Sequence, residues 1–137
     1  MTRLTSFRYG NIDIREAAFL RGVPWFTRRA IGEWLGYEDP QNAVDVIINR
    51  NPHIQNPEWA TPVKLTGVEG GKPVTRTIEV YSPIGLQLII FESHQPKAVQ
   101  YKIAVAKLVS DIMTGEYNRR LARTFLTATG LRMITQR

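Results

Sequence analysis

Apolar and polar residues alternate along the first 26 positions in short runs that are separated by turns. Residues 7–15 predict two strands joined by a turn at Gly10-Asn11. A second apolar run over residues 17–20 leads to another turn at Gly22-x-Pro24, because glycine and proline interrupt regular structure. Residues 7–26 are therefore expected to form a small β-meander or a pair of hairpins.

The spacing of apolar residues becomes helical after Thr27. This threonine can cap a first short helix over residues 28–35. Asp39 as a cap and Pro40 at the first helical position predict the start of a second helix that continues to residue 50. Two short helices joined by so few residues have the outline of a helix-turn-helix.

The second half of the chain predicts one hairpin and two more helices. The hairpin covers residues 63–81, with its turn at Gly70-Gly71. Ser82-Pro83 then starts a strongly apolar helix, which is expected to be buried on nearly all sides. After a break at Gln95-Pro96, a longer amphipathic helix is expected to close near Gly115. Its apolar stripe contains Ala98, Tyr101, Val105, Leu108, Val109 and Ile112.

These elements predict an α+β fold with one main domain. Its order is N-terminal β-hairpins, a short helix pair, a second β-hairpin, a buried helix and a long amphipathic helix. We expect the domain to cover residues 1–117, followed by a basic extension over residues 118–137. Part of this extension is expected to be helical, because Tyr117, Leu121 and Phe125 repeat every four residues.

The composition favours a polyanionic partner in the cytoplasm. The net charge is +6, and in cells nucleic acid is the commonest polyanion. The absence of cysteine excludes disulfides, thiolate nucleophiles and cysteine-based metal sites. No apolar run reaches the length of about 18 residues that a membrane helix needs, and the N-terminus does not resemble a signal peptide.

The residues that could carry catalysis are few and scattered. His53 and His94 are the only histidines, and their spacing matches no metal-binding motif. No pair of carboxylates close in sequence indicates acid–base chemistry. Gly70-Gly71-Lys72 lacks the upstream glycine and the following Ser or Thr of a phosphate-binding loop. We therefore expect no enzyme, no metal site and no cofactor.

The helix pair is the first of three candidate DNA-binding surfaces. Arg28 and Arg29 begin the first helix, where they could contact phosphates. The second helix carries side-chain types that form paired hydrogen bonds with adenine and guanine edges. An ordinary helical hairpin with a solvated polar face would show the same pattern. The candidate base-reading residues are Gln41, Asn42, Asn49 and Arg50.

The second hairpin and the C-terminal extension are the other two surfaces. A two-stranded ribbon fits the major groove as well as a helix does, although charges on a hairpin also keep an exposed edge soluble. The arginines of the extension could follow a phosphate backbone or form a flexible basic end. The candidates are Lys64, Lys72 and Arg76 in the hairpin, and Arg119, Arg120 and Arg123, with Arg132 and Arg137, in the extension.

Several short motifs follow one another in a defined order over residues 5–117. They are Phe7-x-Tyr9, Ile12-x-Ile14-Arg15, Gly22-x-Pro24-Trp25-Phe26, Ala30-Ile31-x-x-Trp34-Leu35-Gly36-Tyr37-x-x-Pro40-x-x-Ala43, Tyr81-x-x-x-Gly85-Leu86, Ile89-Ile90-Phe91-x-Ser93 and Pro96-x-Ala98. In combination they resemble the Bro-N domain, the N-terminal module of baculovirus Bro proteins and phage antirepressors. The resemblance implies an α+β module that binds double-stranded DNA and regulates phage or viral gene expression, in a bacterium or an infected host cell.

A protein-interaction module is the alternative function. An antirepressor can act by binding a repressor protein, and Trp59, Tyr117 or the apolar part of the extension would then supply contacts. A homodimer would suit a two-fold DNA site. Antirepressors tend to carry a second, C-terminal domain, whereas here a basic extension follows, which indicates either a standalone version or a fragment.

Overall fold

The fold is described by a computed structural model that covers residues 3–129, with side chains described as far as residue 124. It confirms the α+β class. The strands are β1 (Leu4–Tyr9), β2 (Ile12–Leu20), β3 (Val23–Thr27), β4 (Ala60–Glu69) and β5 (Lys72–Tyr81). The helices are α1 (Arg28–Leu35), α2 (Pro40–Arg50), α3 (Pro83–Glu92), α4 (Pro96–Thr114) and α5 (Glu116–Thr129), and a 3₁₀ turn covers Pro52–Gln55.

All five strands form one antiparallel sheet in the order β1-β2-β3-β5-β4, so β1 and β4 are its edges. The first three strands form the meander that the sequence predicts. β3 pairs with β5 only at Phe26↔Tyr81 and Thr27↔Val80. Residues 62–79 of β4 and β5 therefore continue beyond β3 as a two-stranded ribbon, which we call the arm.

The arm is regular over its whole length. Its cross-strand pairs run without interruption from Pro62↔Glu79 to Glu69↔Lys72. At the usual rise per residue these pairs extend about 26 Å. Gly70 and Gly71 close the tip with φ angles of 57° and 77°, which glycine adopts at little cost. The predicted hairpin is confirmed, and it begins three residues earlier than the sequence indicated.

The helix pair begins as predicted at α1 and differs at α2. The Thr27 side chain accepts a hydrogen bond from the Ala30 amide at 3.1 Å, which confirms the cap. Pro40 occupies the first turn of α2 as expected, but the predicted cap at Asp39 is wrong because its side chain caps no amide. The reason is conformational: Asp39 has ψ 80°, whereas capping residues take the extended conformation that Thr27 shows at ψ 154°.

The core lies between the sheet and helices α1, α2 and α3. α3 is capped by Ser82, whose hydroxyl accepts from the Gly85 amide, and its inner residues are buried while Ile84 and Phe91 are partly exposed. Burial of these large side chains supplies most of the driving force for folding. The largest buried residues are Ile14, Phe26, Ile31, Leu35, Val44, Ile48, Ile54, Val80, Tyr81, Ile89 and Ile90.

Contacts divide the chain into two compact units, with the division after Val99. The predicted domain boundary at residue 117 stays a prediction. α4 begins in the first unit with Ala98 fully buried. Further along α4 the predicted apolar stripe is not a core face in the described chain, because Leu108, Val109 and Ile112 are exposed. α5 covers the segment whose helical spacing the sequence indicated, and Arg132 and Arg137 lie outside the described residues.

Gly32 marks a very close approach between α1 and α2. A Cβ atom at this position would lie 2.4 Å from the Pro40 carbonyl oxygen. We expect Gly32→Ala to lower the free energy of unfolding by about 3 kcal/mol, because backbone atoms must move apart to admit the methyl group. Urea unfolding measures this change.

Gly67→Ala is the matched control, because a Cβ at Gly67 would meet no atom within 4 Å. That variant is expected to unfold within about 0.5 kcal/mol of the parent protein. Equal stability of the two variants would contradict the close packing of α1 on α2.

Candidate nucleic-acid interface

One arginine joins the helix pair to the base of the arm. The Arg28 side chain, which is 18% exposed, donates through Nη1 to Asp45 Oδ1 at 2.9 Å and through Nη2 to Glu79 Oε1 at 2.8 Å. Its Nε donates to the Tyr81 hydroxyl at 2.9 Å, and the guanidinium lies 5.6 Å from the centre of that ring. We call Arg28, Asp45, Glu79 and Tyr81 the Arg28 cluster; it connects α1, α2 and β5.

The charge state of the cluster follows from these contacts. Partial burial alone would raise the pKa of Glu79, but hydrogen bonds from Tyr81 and Arg28 and the charge of Arg28 outweigh burial and lower that pKa. Burial would lower the pKa of Arg28, whereas its hydrogen bonds to Asp45 and Glu79 raise it overall. Burial and the hydrogen bond that it donates to Glu79 raise the pKa of Tyr81. At neutral pH the cluster is therefore a stable arrangement of one cation and two carboxylates.

The two arginines at the start of α1 are both held by carboxylates. The Arg28 guanidinium uses all three of its nitrogens inside the cluster. Arg29 pairs with Glu16 of β2 and lies 4.0 Å from Glu33, and the hydrogen bond to Glu16 raises its pKa. The predicted phosphate contacts of Arg28 and Arg29 stay predictions, and each would have to form in competition with these ion pairs.

The candidate base-reading residues of α2 lie on two flanks of the helix. Asn42 and Asn49 are exposed, and Gln41 beside them donates to Asp45 Oδ1 at 3.3 Å. Arg50 instead lines a groove of about 400 Å³ together with Glu92. Gln41, Asn42 and Asn49 therefore share one flank of α2 over about two helical turns, whereas Arg50 lies on the flank that lines the groove.

The predicted cations of the arm also lie on different sides. Cross-strand partners share one side of a ribbon. Lys64 faces Thr77 across the strands, next to the Pro62↔Glu79 pair, so it lies on the side of the arm that Arg28 contacts. Arg76 and Lys72 lie on the other side, and there Arg76 pairs with Glu69.

The Arg28 cluster makes the polar flank of α2 and one side of the arm neighbours. Asp45 accepts hydrogen bonds from Gln41 and Arg28, and Arg28 in turn contacts Glu79, two residues from Thr77. We call the exposed residues along this junction the composite surface. Sequence reasoning missed its threonines, although the alternation of β5 places them on one side. Its members are Gln41, Asn42, Asn49, Lys64, Thr66, Thr75 and Thr77.

The arginines of the extension are paired within the second unit. Arg119 and Arg123 both donate to Glu116, and these bonds lower the pKa of that carboxyl. Arg120 pairs with Asp111 of α4. Residues 100–137 nevertheless contain seven of the 18 Lys and Arg residues and two of the 12 Asp and Glu residues, so most of the net positive charge resides there.

We searched the described residues for metal-ligating groups, for unpartnered buried polar atoms and for membrane-spanning helices. Residues 3–124 contain no group of three or more His, Asp and Glu side chains that could hold a metal ion. Within the same range, no buried side-chain nitrogen or oxygen lacks a hydrogen-bond partner. No helix of the described chain is both long and apolar enough to cross a membrane.

Comparison of the chain with protein-family models, with curated proteins and with solved structures found no match. The resemblance to the Bro-N domain therefore stays a prediction that depends on the motifs of the sequence.

Replacing the central arginine should destabilise the first unit. Arg28→Met leaves Asp45 and Glu79 without their shared cation, and we expect a loss of about 2 kcal/mol at pH 7, less than for a fully buried pair because the site is partly exposed. Arg29→Met, which removes a 57% exposed side chain, is the control and should cost less than about 1 kcal/mol. Urea unfolding of both variants measures the difference.

The loss of unfolding free energy caused by Arg28→Met should depend on pH. The pKa of Glu79 is lowered in the folded state, so its contribution to stability is present above its unfolded pKa of about 4.3 and is lost as the pH falls through the lower folded value. The difference in free energy of unfolding between Arg28→Met and the parent protein should therefore become smaller on acidification below about pH 4. A gap that stays constant between neutral and acid pH would contradict this account of the cluster.

Proposed function

We propose that the protein binds double-stranded DNA through the composite surface and regulates transcription without catalysis, in the manner of a phage antirepressor. The observation that carries this proposal is the Arg28 cluster. Because Asp45 of α2 and Glu79 of the arm share one guanidinium, a helix flank and a β-ribbon are held together as one polar surface.

The side chains of this surface suit contacts with bases and phosphates. Asparagine and glutamine can form two hydrogen bonds with an adenine edge in the major groove, and Asn42 and Asn49 are exposed on α2. Lysine and threonine side chains commonly bind phosphate oxygens, and Lys64 and Thr77 face each other on the arm. A two-stranded ribbon fits the major groove of about 12 Å width.

The long-range attraction of DNA comes from outside the composite surface. The two carboxylates of the cluster are balanced by Arg28 and by the exposed Lys64 on the same side of the arm, so this surface is close to neutral. The excess of cations in residues 100–137 adds sequence-independent attraction to the phosphate backbone. In this proposal α2 and the arm determine the position on DNA, and the basic segment raises the affinity.

The two aromatic residues proposed for the protein-interaction alternative differ in their exposure. Trp59 is only partly exposed, and its indole N–H donates to the His53 carbonyl oxygen at 3.2 Å. Tyr117 is 37% exposed. A repressor protein as partner stays a prediction.

DNA binding can be measured by fluorescence anisotropy with a labelled random-sequence duplex over a range of salt concentrations. We expect affinity to fall steeply as salt rises, because cations are released from the phosphates. Lys64→Ala should weaken binding to every duplex and reduce the salt slope by about one unit. Arg8→Ala is the control, because Arg8 is an exposed cation on β1, at the opposite edge of the sheet from β4.

Base reading requires a second measurement on a preferred site. Selection from a randomised duplex pool supplies that site, and Asn42→Ala should then weaken binding to it by about 1–3 kcal/mol while binding to random duplex changes little. Equal effects of Lys64→Ala and Arg8→Ala, or no binding near 50 mM salt, would refute DNA binding through the composite surface.

A further inference from the structure

The last turns of α4 carry a broad apolar surface that is open in the described chain. Leu108, Val109 and Ile112 are 44–55% exposed, and Met113 is 81% exposed. At 100° per residue all four lie within less than half of the helix circumference. Apolar surface of this extent on one helix is a mark of an interaction site.

α5 is attached to α4 beside this surface and leaves it open. Its Arg120 pairs with Asp111. Asp111 lies about 60° from Leu108 and about 100° from Ile112 around the helix axis, and nearly opposite Val109 and Met113. The turn at Gly115, with φ 81°, and the hydrogen bonds of Arg119 to Glu116 and to the Thr114 carbonyl fix the start of α5. The end of the stripe, with Leu108, Val109 and Ile112, is therefore open in the described part of the chain.

The spacing of the stripe is that of a two-stranded coiled coil. Tyr101, Val105, Leu108 and Ile112 follow one another at intervals of four, three and four residues, as do alternating d and a positions of a heptad. The a positions carry the β-branched Val105 and Ile112, and Leu108 is at d. This combination favours parallel pairs of identical helices over trimers and tetramers.

We propose that α4 pairs in parallel with α4 of a second copy of this chain along Leu108 and Ile112, and that the half-buried Val105 extends this seam toward the start of the helix. The exposed end of α4 supplies the apolar part of such a dimer interface. Leu108, Val109, Ile112 and Met113 are between 44% and 81% exposed. At about 200 Å² for a fully exposed large side chain, they present about 450 Å², more than half of the ~800 Å² that each partner contributes to a standard interface.

The salt dependence of this dimer should be opposite to that of DNA binding, so the two can be distinguished. Residues 100–137 contain more cations than carboxylates, so two copies repel each other at low salt. Screening by salt should therefore strengthen the dimer, whereas binding to DNA or to an acidic protein weakens as salt rises. The dimer does not depend on the proposed DNA-binding function, because it forms without DNA.

Sedimentation equilibrium of the full chain without DNA tests the proposal. The parent protein should form a dimer whose Kd falls when salt is raised, and Leu108→Glu should raise that Kd at least about 100-fold, because two carboxylates would be placed in an apolar seam. Lys107→Glu, on the opposite flank of α4, is the control and should dimerise at least as well. Since Leu108 is already 44% exposed, its variant should keep the parent's circular dichroism and, at a concentration where both proteins are monomeric, the parent's melting temperature.

Disulfide crosslinking tests the parallel arrangement, and the chain has no cysteine of its own to interfere. Leu108→Cys and Ile112→Cys should each form a covalent dimer on oxidation, because identical residues face each other across a parallel seam within disulfide range. Lys107→Cys should not. A parent protein that is monomeric near 200 µM, a dimer that Leu108→Glu leaves intact, or crosslinking that is equal at positions 107, 108 and 112 would each overturn the proposal.

Discussion

The guanidinium of Arg28 is the contact on which the polar surface of the first unit depends. It lies at the first residue of α1, directly after the Thr27 cap, whose hydroxyl also donates to Glu16 at 2.9 Å. The junction between β3 and α1 therefore determines where the guanidinium points. From that position it reaches Asp45 on one side and Glu79 on the other, so a single side chain links α2 to the base of the arm.

Other contacts of α1 hold the helix in the place that this role requires. The Trp34 indole N–H donates to the Asn11 carbonyl oxygen at 3.1 Å, which attaches the end of α1 to the turn between β1 and β2. The absence of a side chain at Gly32 lets the start of α2 approach α1 closely. Tyr37 hydrogen-bonds Ser93 after α3 at 2.6 Å. With α1 fixed in this way, a polar flank of α2 lies next to one side of the arm. The proposed DNA-binding surface consists of the exposed polar side chains on these two neighbouring elements.

Local signals in the sequence predicted most elements, because caps, turns and periodicity depend on residues a few positions apart. The caps at Thr27 and Ser82 and the glycine turn of the arm are examples. The role of Arg28 could not be predicted in the same way, since its carboxylate partners are 17 and 51 residues distant and an arginine in a first helical turn is usually solvated. Periodicity likewise showed that α4 is amphipathic, but periodicity carries no information about which surface covers the stripe.

The most direct test of the composite surface is amide NMR of the protein titrated with a DNA duplex. We expect the largest chemical-shift changes in two segments distant in sequence, around Asn42 and Asn49 on α2 and around Lys64 and Thr75 on the arm, while Arg8 on the far strand is unaffected. Changes confined to residues 100–129, with α2 and the arm unchanged, would contradict this expectation and would show that the basic helices bind DNA without the surface that Arg28 assembles.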